Sequence, residues 1–218
     1  MIMFAAFLCN GRVCLSQAAK QAGPAKDITV ESELTTKDIR TDESNLANIV
    51  LDAIRSSASA DGAIMHASAF SSITIQGGKT NVAEISKAVQ FKEDTISIVN
   101  LTGAQLKKAF ENALKLLPQK SPEFLQVSNI VVEYAQDKPQ DKRVVSITVA
   151  RKPITDMGTY SIAMPTVLAH GALGYYKIWD GTKDVTETQT DIASALTSYL
   201  ATNKSLSGKG EGRIVSKK

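Results

Sequence analysis

Two short stretches hold the side chains best suited to chemistry. "HASAFSS", residues 66–72, sets His66 among small hydroxyl-bearing residues directly after an apolar run, Ala63-Ile64-Met65. "LAHGALGYY", residues 168–176, sets His170 beside Gly171 and Gly174 and ahead of Tyr175 and Tyr176. Glycine lets the backbone approach a ligand closely, and tyrosine offers a flat wall with a hydrogen-bonding tip. The same residue types also make plain turns, so both readings stand at this point.

The chemistry these stretches exclude is clearer. His66 and His170 are the two histidines of the sequence, and neither lies in an HxH, HxxxH or DxH arrangement, so no metal site is expected. A hydrolytic serine lacks its GxSxG elbow. "IQGGKTN" has the Gly-Lys-Thr of a phosphate loop without the upstream glycine, and reads as a turn. The two cysteines, Cys9 and Cys14, both fall near the N-terminus, inside a segment that reads as removable.

That segment, residues 1–18, has an uncharged apolar opening and small residues Ser16 and Ala18 before a cut, as in a signal peptide. Residues 19–27 read as a small polar linker, and residues 28–218 as the folded domain. Cleavage after Ala18 would leave no cysteine, which excludes disulfides and thiol catalysis from the mature form and implies an exported protein, periplasmic or extracellular. A membrane span is not expected, because roughly 18–20 unbroken apolar residues would be needed. With 25 basic and 22 acidic residues, the charge is too balanced to call for a nucleic-acid partner. The basic close, "KGEGRIVSKK", reads as a solvated tail.

The elements that must position the candidate residues are marked by caps and periodicity. In "DESNLANIVLDAIRSSA", Leu46, Ile49, Val50, Ala53 and Ile54 share a helical face behind Asp42 or Ser44 as cap. Asn81 with Glu84, and Thr102 with Gln105, form capping-box patterns, and Pro118 stops the second helix. Ile192, Ala195, Leu196, Tyr199 and Leu200 mark a last amphipathic helix. Strand patterns occur at 95–101, 130–135, 144–149 and 159–164, the middle two joined by the polar "QDKPQDKR" of a long hairpin. Helices and strands are interspersed, so the fold class is α/β (α+β), a mixed β-sheet with packed helices.

Several of these segments occur in an order that resembles a known family. "ESNLANIVLDAIR", "NLTGAQLKKAFENAL", "FLQVSNIVVEY", "DKRVVSITV", "YSIAMPTVLAHGALGY" and "EGRI" together are similar to the C-terminal domain of the 5'-nucleotidase family, which includes UDP-sugar hydrolases. The resemblance runs from about Ile28 to Val215. It implies a fold of that type and a nucleoside pocket, with hydrolysis residing in a separate metallophosphoesterase domain that holds two metal ions. Two histidines cannot supply such a centre.

The resemblance also implies that the pocket is altered. The family's Asn-Ser/Ala-Gly-Gly-Ile-Arg loop matches His66-Ala67-Ser68-Ala69-Phe70-Ser71, so the substrate-facing arginine is replaced by Ser71, which carries no charge and no donor fork. The Pro-Phe-Gly-Asn turn matches Gln90-Phe91-Lys92 and then Glu93 or Asp94, which keeps Phe91 as one aromatic able to stack on a base. The second stacking aromatic is matched by Val167 and the ribose-binding aspartate by Leu173. Phe91 could line an apolar cleft with Phe70, Tyr175 and Tyr176, or these could be ordinary packing. The candidate ligand-binding residues are thus His66, Ser71, Phe91, His170, Gly171, Gly174 and Tyr175, with no catalytic residue and no cofactor. The expected role is binding of a nucleoside-like small ligand or a protein. The alternatives are the specificity half of a split nucleotidase, partnered by a metallophosphoesterase domain, and a structural subunit of an envelope or extracellular assembly.

Overall fold

The computed structural model describes residues 27–179 and 185–217. The leader, nearly all of the linker, Cys9 and Cys14 lie outside the described residues. Strands β1 (Ile28–Val30) and β2 (Leu34–Thr35) precede helix α1 (Asn45–Ala58). Then come β3 (Gly62–His66), β4 (Thr74–Ile75), β5 (Gly78–Thr80), α2 (Val82–Ser86), β6 (Thr95–Thr102) and α3 (Gly103–Leu114). Strands β7 (Leu125–Ser128), β8 (Ile130–Ala135), β9 (Val144–Val149), β10 (Lys152–Pro153) and β11 (Thr159–Pro165) follow, then the short α4 (Thr166–Ala169). The sequence continues through β12 (Val185–Asp191), α5 (Ile192–Thr202), β13 (Ser205–Leu206) and β14 (Ile214–Lys217).

Five strands form the central sheet in the order β12-β6-β11-β3-β7, with β3 and β11 parallel and the other neighbours antiparallel. All five residues of β3 are buried, as a central strand covered on both faces requires. Helix α1 packs against β3, β7 and β11 with α5 alongside, and α3 lies between β6 and β9 of a second sheet, β10-β9-β8-β14.

The caps act as the residue types dictate. Ser44 Oγ accepts from Ala47 N at 3.1 Å, and α1 ends where Ser59 turns left-handed at φ 50°. At α3, Thr102 Oγ1 accepts from Gln105 N at 3.2 Å while Gln105 Oε1 accepts from Thr102 N at 2.8 Å, a closed capping box.

Two local expectations need correction. Gly78–Thr80 is not part of a turn: it is strand β5, paired antiparallel with β1, and the bend is confined to Gly77. The close of the sequence is not a solvated tail. Residues 214–217 form β14, which pairs parallel with β8, and Arg213 is buried. The reason is charge pairing: Arg213 Nη1 and Nη2 donate to the two Asp52 oxygens on α1 at 2.9 and 2.8 Å, Nη2 also reaches Glu211 at 2.9 Å, and Nη1 caps the Val127 carbonyl at 2.8 Å. The Arg213 and Glu211 amides donate to Glu43, each at 2.8 Å. A basic residue so fully paired belongs inside.

Candidate functional site

Because β3 and β11 run parallel, their carboxyl ends lie at the same end of the central sheet, where β6 and β7 begin. Carboxyl ends of parallel strands are where α/β folds place ligands. Four connecting segments meet there and are tied together by named bonds. Ala67 N, in the 3₁₀ turn after β3, donates to Phe124 O at 2.7 Å, and Gln90 N donates to Ala69 O at 2.9 Å. Tyr175 Oη donates to Glu123 O at 2.7 Å, and the Thr166 and Thr95 hydroxyls pair at 2.9 Å. The result is a ring made of residues 66–71, 88–95, 121–124 and 166–177.

The ring brings most candidate residues to one end of the sheet but gives them different environments. His66, the last residue of β3, is 6% exposed, with Nδ1 2.9 Å from Ser68 Oγ. Burial pushes its imidazole down from the usual 6.5 to about 4, so at neutral pH it is uncharged and suited to hydrogen bonding, not to binding an anion. Ser71 is half-buried and its amide donates to Ala88 O at 2.9 Å. Phe91 stands on the turn before β6 and is 52% exposed. His170 is exposed after α4, its Nε2 3.0 Å from Glu187 Oε1 on β12.

The glycines of the second stretch explain its shape. Gly171 has φ 86° and Gly174 φ 83°, with Leu173 between them also left-handed at φ 57°. This reversal turns Tyr175 inward and Tyr176 outward. Tyr175 is fully enclosed and stacks on Trp179 with ring centroids 5.0 Å apart, whereas Tyr176 is 61% exposed. Phe70 is buried as well. Of the four aromatics expected around one cleft, Phe91 and Tyr176 are therefore open to solvent, and Phe70 and Tyr175 are enclosed.

A polar cluster beneath the ring escaped the sequence reading. Thr166 Oγ1 lies 2.7 Å from Ser97 Oγ and donates to Thr95 O at 2.9 Å, joining the start of β6 to the first residue after β11. The available signal was the alternation of Thr95 and Ser97, which places both on one face of a strand. Among the described residues no three His, Cys, Asp or Glu side chains are grouped as a metal ion would need. None of their helices is long and apolar enough to cross a membrane.

Comparison with known proteins agrees with this architecture. The sequence model described as 5'-nucleotidase, C-terminal domain, matches residues 21–180. The 5'-nucleotidase of Mus musculus is 34% identical over 128 residues, which are 55% of this chain and 22% of that protein. The snake venom 5'-nucleotidase of Naja atra is 30% identical over 129 residues, 56% of this chain and 24% of that protein. The chain thus spans about a quarter of the length of the curated relatives it matches. Among solved structures, a 5'-nucleotidase precursor from Thermus thermophilus has a similar fold, with TM-score 0.78 at 22% identity over 87% of this chain and 39% of that one. So does the Haemophilus influenzae NAD nucleotidase, with TM-score 0.74 at 16% identity over 89% of this chain and 39% of that one. With its sequence model matched over most of the length and its mixed sheets built alike, the chain belongs to the family of 5'-nucleotidase C-terminal domains.

Proposed function

We propose that this domain acts by recognition, holding a nucleoside-like ligand or a protein surface at the loop ring, and does not itself hydrolyse phosphoesters. One observation carries the reading. Of the six large apolar side chains exposed among the described residues, four (Phe91, Val167, Leu173 and Tyr176) stand on the ring segments. Uncovered apolar surface costs about 25 cal/mol per Å², and such surface gathered at one end of a fold marks a contact site. Phe91 and Tyr176 offer flat faces to a base, while Ser71 and Leu173 replace the arginine and aspartate that the family resemblance associates with substrate. The ligand is therefore held by stacking and not by its phosphate or ribose. Export is part of the same proposal, because the matched relatives include snake venom enzymes.

The test combines turnover with binding. Incubation with AMP, UDP-glucose or cyclic nucleotides and a divalent metal is expected to release no phosphate, while adenosine or uridine raises the melting temperature by mass action. Turnover by the purified chain would overturn the proposal. A second reading, in which the ring docks on a metallophosphoesterase domain as the specificity half of a 5'-nucleotidase, is favoured by the chain's matching only about a quarter of those relatives. Adding such a domain would then produce AMP hydrolysis, and Phe91→Ser would weaken the association.

A further inference from the structure

At the opposite end of the central sheet, where β7 finishes at Ser128, a cleft of about 400 Å³ opens between α1, α5, the β9–β10 turn and the segment before β14. Three arginines line it, Arg55, Arg151 and Arg213, against two acids, Asp52 and Glu211. Arg213 is committed to both acids. Burial opposes its charge, but the two carboxylates more than offset this, so it stays a cation. Arg213 offsets one of the two negative charges, and Arg55 and Arg151 outweigh the other, so the five groups lining the cleft sum to one net positive charge.

Neither Arg55 nor Arg151 is used up. Arg55 donates from Nε to Ser128 Oγ at 3.1 Å, and Ser128 in turn donates to Asp52 at 2.6 Å. That fixes the guanidinium while its Nη nitrogens have no hydrogen-bond partner among the described residues. Arg151 is exposed and makes no hydrogen bond or ion pair among them. Tyr199 adds a donor. Burial, with the nearby Asp52 carboxylate, pushes its phenol up, so the hydroxyl stays protonated at the cleft.

The backbone that carries Arg151 is the second observation. Ala150 and Arg151 are the two residues of the β9–β10 hairpin turn, and both are left-handed, at φ 50° and 64°. Such turns are relaxed with Asn-Gly, and an alanine and an arginine there are strained. Strain retained in a two-residue turn is accounted for if the turn's side chain has work at the cleft.

We propose that this cleft binds a compact oxyanion, the phosphate group of free phosphate or of a phosphate monoester, between Arg55 and Arg151. Guanidinium forks match phosphate oxygens two at a time, and Arg55, held by Ser128 beside the paired Arg213 and Asp52, is in place before the anion arrives. The site is separate from the loop ring and does not depend on it.

Calorimetry with inorganic phosphate in a chloride buffer of matched ionic strength tests it. A saturable isotherm is expected, weakened at least about tenfold by Arg151→Gln, and likewise by Arg55→Gln, because each removes one charge-assisted contact. Phe91→Ser should leave it unchanged. AMP should compete with phosphate, and adenosine should not, if the phosphate group is what the cleft holds. Arg151 is exposed, so its variant keeps the fold even should Arg55→Gln fail to, and it decides the matter alone. Phosphate no better than chloride, an isotherm indifferent to Arg151→Gln, or AMP binding without phosphate binding would each overturn the proposal.

Discussion

Where β7 ends, Arg213 is locked by both oxygens of Asp52, by Glu211 and by a backbone carbonyl; where β3 ends, Phe91 and Tyr176 stand in water beside an anchored Tyr175. The same sheet thus has one end in which charge is paired and buried and one in which apolar surface is left uncovered. The difference teaches a division of labour. Buried charge pairing is concentrated around α1, β7 and β14, and the opposite loops carry the uncovered apolar surface, as binding loops usually do.

The largest expected effect tests the locked end. Arg213→Met leaves the partly buried Asp52 with only its bond from Ser128, and breaking such a pair costs up to about 3–5 kcal/mol. Urea unfolding should show that loss, equivalent to roughly 6–20 °C in Tm for a chain of this size. A change below about 1 kcal/mol would remove the basis of the comparison.

A similar magnitude at the ring would blur it, and one residue is expected to come close. His66 titrates at 6.5 when unfolded and about 4 when folded, so the unfolded chain binds the extra proton between those values. Its contribution is intact above pH 6.5 and is lost as pH falls from 6.5 towards 4, to a total of about 3 kcal/mol, relative to a His66→Gln variant measured over the same range. Stability curves of the two proteins that stay parallel would show that His66 is not buried as neutral imidazole.

Gly171→Ala comes next. A methyl there would sit 2.5 Å from Tyr176 Cα on a backbone with φ 86°, which costs roughly 1–3 kcal/mol and should displace Tyr176. Chemical unfolding and a shift in the emission of Trp179, the one tryptophan of the sequence and part of the same loop, read the two consequences. The smallest effect sharpens the contrast most: Phe91→Ser should change stability by no more than about 0.5 kcal/mol, yet weaken nucleoside binding by about 1–3 kcal/mol of lost stacking.

The parts of the fold legible in the sequence were those with local signatures. Caps at Ser44, Asn81 and Thr102 announced α1, α2 and α3, and β-branched runs announced β6, β8, β9 and β11. Strand β7 was not singled out, because its buried Gln126, which donates to Ile39 O and Asp42 O, breaks an apolar pattern. Strands of two or three residues such as β2, β4 and β5 are too short to display a period, and β5 holds Gly78, which reads as a turn residue. At the site, the left-handed reversal around Gly171 and Gly174 was foreshadowed by the glycines themselves, while which tyrosine faces inward depends on Glu123, far away in sequence. Arg213 was hidden for the same reason. Nothing local tells a paired basic residue from a solvated one.

Asp52 and Arg213 are 161 positions apart. During synthesis the ribosome delivers α1 long before Arg213 exists, so the nascent chain must carry the helix with Asp52 lacking its guanidinium partner. Closure waits until Arg213 has emerged, and with so distant a contact the domain is expected to fold slowly.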